Sequence, residues 1–224
     1  MSTAPTSDER ALRIALLTYR GKQHVGGQGV YVRHLSKALV DLGHHVEVLA
    51  GPPYPSLDER VPLIELPSLD IWSEPHPMRK PRVWEWNDWT DAAEQLSFAT
   101  GNFSEPMAFS LRAWRHLRAR RADFDLIHDN QTRGWGILRL QREGWPILET
   151  IHHPITVDRR LELEHSRSLW EQFGKRRWYA FTKMQTQVAQ RMPRVMTCLL
   201  YTSPSPRDSC IHLVCRLLLE KMGG

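Results

Sequence analysis

Cysteine is absent from the first 197 residues; Cys198, Cys210 and Cys215 all fall in the last 27. That excludes a disulfide-stapled scaffold or a thiolate zinc site in the bulk of the chain. The three late cysteines match no common zinc spacing, and His212 does not complete one. Long apolar runs are missing too, none reaching the roughly 18 residues of a membrane span. The first ten residues are polar, carry Asp8 and Glu9, and lack the apolar core of a signal peptide. Residues 1–10 are therefore expected to be a disordered N-terminus, and the compartment to be the cytoplasm. Acidic residues are slightly outnumbered, giving a net charge of +5. The basic excess gathers at Arg115/Arg118/Arg120/Arg121, Arg159/Arg160 and Lys175/Arg176/Arg177. Solvated helix faces are the plain reading; a surface for anionic lipid or a phosphorylated substrate is the second. No nucleic-acid module accompanies the charge, so no nucleic-acid partner is expected.

Composition changes abruptly near Thr197, since all nine tryptophans precede it. The run Cys198-Leu-Leu-Tyr-Thr-Ser-Pro-Ser-Pro-Arg-Asp208 resembles a translated transposase sequencing adapter. His212-Leu-Val-Cys-Arg-Leu-Leu-Leu219 resembles the flow-cell primer that follows such an adapter. Residues 198–224 are accordingly expected to be a non-native read-through tail, the alternative being a Pro/Ser linker with a short helix. Function is argued from residues 1–197.

What is there alternates. Arg13 to Tyr19 is a short apolar run, suited to a strand buried on both faces of a parallel sheet. The loop Arg20 to Gly29 holds Gly21, Gly26, Gly27 and Gly29, and a helical pattern follows from Val30 to Leu42. Its buried face is expected to carry Val32, Leu35, Leu39 and Leu42, and Gly43 stands where a left-handed cap belongs. His45 to Ala50 reads as a second strand, completing a βαβ unit. Between Pro52 and Pro106 lies a Pro- and Trp-rich excursion with a strand at Leu63–Leu66 and a helix at Asp88–Phe98. Trp72, Trp84, Trp86 and Trp89 are read there as packing anchors rather than ligand platforms. Helix Ala108–Arg121, strand Asp125–His128, helix Gly134–Arg142 and strand Pro146–Ile151 come next. One long helical region, about Leu161 to Met192, precedes a last strand from Arg194. This alternation predicts one α/β domain over residues 11–197, built on a doubly wound, mainly parallel Rossmann-like sheet.

Ligands of such sheets bind outside the carboxyl ends of the strands. Three strand ends carry polar residues that can converge: the loop Tyr19–Gly29, the run His128-Asp-Asn-Gln-Thr132, and Thr150-Ile-His-His-Pro154. Glycines let a backbone approach a ligand closely, and a helix N-terminus offers free amides to phosphate. A nicotinamide enzyme is disfavoured, because Gly26-Gly27-Gln28-Gly29 is not the G-x-G-x-x-G fingerprint. Ala50-Gly51-Pro52 also stands where an acidic ribose-binding residue belongs.

In order and spacing, the residues from 13 to 197 resemble the N-terminal domain of the family-four retaining glycosyltransferases of GT-B architecture. The resemblance rests on Gly26-Gly27-x-Gly29-Val30-Tyr31-Val32, Gly43-His44-x-Val46, Phe124-Asp125-Leu126-Ile127-His128 and Thr150-Ile151-His152. It is nearest to actinobacterial-type members. It implies hexose transfer from a nucleotide-sugar to a carbohydrate or lipid-linked acceptor, with peripheral contact at the inner membrane face as a further implication. Gly26, Gly27 and Gly29 would then form the donor-phosphate loop and His152 the catalytic residue. Arg20, Lys22, Asp129, Asn130 and His153 would be acceptor or sugar contacts, with no metal and no cofactor. The family's donor-binding second half has no counterpart here, so this chain alone is expected to be inactive. The alternative function is a non-catalytic sugar- or lipid-binding Rossmann-like module.

Overall fold

The computed structural model describes residues 10–22, 27–72 and 78–197. The expectations for residues 1–9, for Gly26 and for the tail 198–224 lie outside the described residues. Six strands form one sheet: β1 (Arg13–Thr18), β2 (His45–Ala50), β3 (Leu63–Glu65), β4 (Leu126–Asn130), β5 (Ile147–Ile151) and β6 (Val195–Thr197). Their order is β3-β2-β1-β4-β5-β6, and every pairing is parallel. The expected doubly wound α/β architecture is the observed one.

Strand β1 shows why. Ala15 and Leu17 enter one core cluster, while Ile14 and Leu16 enter the other. A strand apolar on both faces needs helices on both, and the chain supplies them. Helix α1 (Gly27–Asp41) covers one face through Val32, with Leu35 and Leu39 packed beside it. The opposite face is covered by α3 (Glu105–Arg118), α4 (Trp135–Arg142) and α7 (Phe181–Ala189), using Phe109, Leu117, Ile137, Leu140 and Val188. Each fully buried Leu or Ile here contributes about 1.5–3 kcal/mol by leaving water. At the amino ends of the strands Asp125 receives the backbone N–H of Arg13 at 2.9 Å and its Nη2 at 2.9 Å. The guanidinium holds that carboxyl well below the usual range.

Three expectations change in detail. Leu42 is 64% exposed, because α1 ends at Asp41 and Gly43, at φ 89°, turns the chain away. The single long helix of residues 161–192 is instead α5 (Ile155–Glu164), α6 (Leu169–Trp178) and α7. Ser168 is extended, and its side chain accepts the N–H of Glu171, so α6 starts afresh there. The excursion carries α2 (Trp89–Ala99), capped by Asp88. Of its tryptophans only Trp72 is a packing anchor, ringed by Phe98, Phe103 and Trp178 at 5.1–5.8 Å. Trp84, Trp86 and Trp89 are 73%, 37% and 50% exposed.

Candidate active site

The strand order reverses between β1 and β4, and the crevice of a doubly wound sheet opens at that point. Here a cleft of about 540 Å³ lies at the carboxyl ends of the strands. After β1 come Tyr19, Arg20 and Lys22; from the start of α1 come Gly27, Gln28, Gly29 and Tyr31. Gln131 after β4 and His152 and His153 after β5 complete it.

The glycines of the first loop have different jobs. A Cβ on Gly29 would lie 2.3 Å from the carbonyl oxygen of Lys22, so glycine is required for α1 to rest on that loop. A Cβ on Gly27 meets nothing within 4 Å. Gly27 therefore leaves room for a ligand to approach the first turn of α1 at the cleft. Arg20 is held by Glu105, Nε to Oε2 at 2.7 Å and Nη2 to Oε1 at 3.0 Å. Burial pushes the Glu105 carboxyl up to about 7, with Arg20 opposing the rise.

Asn130 and Asp129 were expected to touch an acceptor, but both are fully buried and lie behind the cleft. The polar run simply prolongs β4 to Asn130, and alternate residues of a strand point to opposite faces. Asn130 points to the α1 side, where its Oδ1 accepts Nε2–H of His152 at 2.5 Å. Asp129 points to the other side and accepts the backbone N–H of Arg133 at 2.9 Å. His128, on the α1 side, meets Thr150 Oγ1 at 2.7 Å; burial pushes its ring down to about 4. His152 is half-buried, and the Tyr31 ring stands edge-on to it at 4.4 Å. Its pKa is lowered by burial and then by the charge of Arg133, so the imidazole is neutral at pH 7 with its proton on Nε2. His153 is exposed at the rim and pairs with Asp158 of α5 at 2.5 Å.

Tyr19, Gln28 and Gln131 were read only as parts of converging strand-end runs, and Tyr31 in the cleft and Arg133 and Glu149 behind it were not read as site residues. Glu149 neighbours Asp129 across the β4–β5 register and is fully buried. A dry carboxyl beside another carboxyl holds its proton, and the Glu149 pKa is raised well above the usual range by burial and by Asp129. Arg133 Nε lies 3.9 Å from Glu149 Oε1. The signal was in the register: polar residues facing each other at the ends of two central strands.

The cleft thus offers a helix N-terminus and two cationic side chains beside a neutral imidazole, the makings of a site for a phosphorylated, hydroxyl-rich ligand. The family model described as Glycosyltransferase Family 4 matches residues 25–199. This chain belongs to Glycosyltransferase Family 4. Gly27, Gly29, Asn130, His152 and His153 lie inside the matched span, whereas Arg20 and Lys22 lie outside it. The chain is 52% identical over 187 residues to the MMP alpha-(1->4)-mannosyltransferase of Mycolicibacterium hassiacum. That match covers 83% of this chain and 45% of the relative, so the chain spans about half the length of the curated relative it matches. Among solved structures, the glycosyltransferase SnogD from Streptomyces nogalater is 19% identical with a TM-score of 0.39, over 87% of this chain and 47% of that one. Glycosyltransferase SsfS6 of Streptomyces sp. SF2575 is 16% identical with a TM-score of 0.36, over 79% and 46%. Among the described residues, no helix is long and apolar enough to cross a membrane.

Proposed function

We propose that the cleft is the acceptor-side half of a hexosyltransferase that takes its sugar from a nucleotide-sugar and keeps the anomeric configuration. The observation that carries this reading is the gathering of Gly27, Lys22 and His152 around one cleft at the switch point of the sheet. In this reading the amides of the first α1 turn and the Lys22 ammonium meet the donor diphosphate, so no metal or cofactor is called for. His152 stands beside the transferred sugar, and its neutral ring, fixed by Asn130, orients sugar hydroxyls without adding charge. The relative's name supports mannose as the hexose and an α-(1→4) bond as the product. An α-linked product formed from an α-linked nucleotide-mannose keeps its configuration.

The test joins residues 1–197 to the C-terminal half of the relative and measures mannosyl transfer from nucleoside-diphosphate mannoses. The chimera is expected to transfer mannose; the 224-residue chain alone is expected to be inactive and to bind donor no better than millimolar. His152→Ala in the chimera should lower kcat by about 100-fold or more and change KM little. Micromolar donor binding by the chain alone, or a His152→Ala chimera of unchanged kcat, overturns the reading. Sugar or lipid binding with no transfer by the chimera favours a non-catalytic module.

A lipid-linked acceptor at the inner membrane face is a second reading, favoured by the α5–α6 hairpin. Neither helix buries a residue; Leu169 and Trp170 are 83% and 84% exposed, and Arg159, Arg160 and Arg176 line a groove alongside. Exposed Trp and Leu beside arginines suit an anionic surface. Co-sedimentation with anionic but not neutral vesicles, lost in Leu169→Ser/Trp170→Ser, supports it; no sedimentation sinks it.

A further inference from the structure

The turn between β4 and α4 holds two non-glycine residues in the left-handed backbone region, Gln131 at φ 62° and Arg133 at φ 49°. Such a backbone persists only where its surroundings over-determine it. Here it is tied down from behind. Asp129 Oδ2 accepts the N–H of Arg133 at 2.9 Å, and Gln185 of α7 donates to the carbonyl of Thr132 at 3.1 Å and to that of Gln131 at 3.4 Å. Gln185 is itself buried, so these contacts are shielded from water.

Anchored in this way, the Gln131 side chain reaches across the β4–β5 gap to the next loop. Its Oε1 accepts the backbone N–H of His152 at 2.9 Å, and its Nε2 donates to the carbonyl of His153 at 3.5 Å. One carboxamide thus engages the backbone on both sides of the peptide that links the two histidines. Gln131 is 4% exposed yet forms part of the cleft wall, between a rigid sheet end and the loop that carries His152. The side-chain length matters: the same turn could be made by glycine or asparagine at less backbone cost, but neither spans that gap.

We propose that Gln131 is the positioning residue for His152, fixing the backbone of the β5–α5 loop so that the imidazole stands between Asn130 and Tyr31. The proposal rests on the reading of His152 as the residue beside the transferred sugar, but its test does not. Placement is read directly by NMR on the 224-residue chain, from exchange of the His152 amide and from titration of the His152 ring. His128, on the same sheet face and bonded to Thr150, is the internal control: its shift comes first from its own burial and only then from the charge of His152, so it should move less than His152.

Two variants bracket the carboxamide. Gln131→Asn tolerates a left-handed backbone but is one methylene too short. Its His152 amide should exchange faster by about tenfold, the equivalent of one lost hydrogen bond. Its His152 ring should titrate closer to the ordinary histidine value of about 6.5, while His128, which senses the charge of His152, moves less. Gln131→Glu has the native length and keeps the acceptor. It should leave His152 amide protection near the native level while raising the titration of the ring through the added carboxylate. The proposal is overturned if Gln131→Asn leaves both His152 readouts unchanged, or if His128 shifts as much as His152. Should Gln131→Asn fail to fold, loss of His152 amide protection in Gln131→Glu overturns it equally. These shifts together with full transfer by the His152→Ala chimera would uphold the positioning of His152 and remove only its catalytic role.

Discussion

The two faces of one sheet edge solve the same problem in opposite ways. At the carboxyl ends of β4 and β5, the α1 side carries His128, Asn130, Thr150 and His152; the α3/α4/α7 side carries Asp129 and Glu149, with Arg133 above them. The first set is neutral and paired by hydrogen bonds. The second is ionic, dry and incompletely paired: Arg133 Nε and Nη2 donate no hydrogen bond. A shared proton between Asp129 and Glu149 with one guanidinium leaves that set without net charge, which a buried site requires. The difference teaches where the cleft can do chemistry. Of these groups only His152 faces the cleft; the neutral set behind it holds its ring, and the charge of Arg133 that biases it stays on the other side of the sheet.

Breaking the ionic side should have the largest effect. Arg133→Ala leaves two buried carboxyls without their cation and should cost about 3–5 kcal/mol in denaturant unfolding. Under 1 kcal/mol would mean the guanidinium is not part of the cluster.

Next comes pH, where the two sides should respond with opposite sign. His128 in the fold is lowered to about 4, so its contribution is complete above the unfolded value near 6.5 and is lost as pH falls through about 4. Glu105, on the α3 side, is raised to about 7, so its contribution is complete below about 4.5 and is lost as pH rises through that value. Each amounts to at most about 3 kcal/mol. The two windows overlap between about 4.5 and 6.5 and oppose each other there, so urea midpoints should fall with rising pH across that range in His128→Gln and rise with it in Glu105→Gln. Identical profiles for the two variants would erase the contrast.

On the neutral side Asn130→Ala should cost about 1–2 kcal/mol and free the His152 ring, visible as loss of the protected Nε2–H proton signal. The smallest effect belongs to Glu149→Gln. If Glu149 is protonated, the amide replaces a neutral donor to Asp129 and should cost less than about 1 kcal/mol. A loss as large as that of Arg133→Ala would show the carboxyl to be ionised.

Most of the sheet was readable because its central strands are mainly apolar; Ile14 to Leu17 announces itself as a short continuous run, and Val46, Val48 and Leu49 as one broken only by Glu47. The site was readable as three strand ends, and Gly27, Arg20, Lys22, His152 and His153 do share one cleft. Its individual roles were less readable. Asp129 and Asn130 looked like a loop because they are polar, and only pairing with Glu149 and Thr150 makes them strand. Trp84 and Leu42 looked like core because they are apolar, yet the chain has turned outward before it reaches them.

The local chemistry of the chain determined by itself the alternation of strands and helices, the glycine-bearing start of α1 and the polar strand ends. Periodicity and backbone preference act between near neighbours, so they are written in order along the chain. Tertiary structure alone decided that Asp129 and Asn130 face opposite ways, that Glu149 is dry beside Asp129, and that Gln131 reaches His152. Those outcomes depend on strand register and on exclusion of water, and both arise only when segments distant in sequence are packed together.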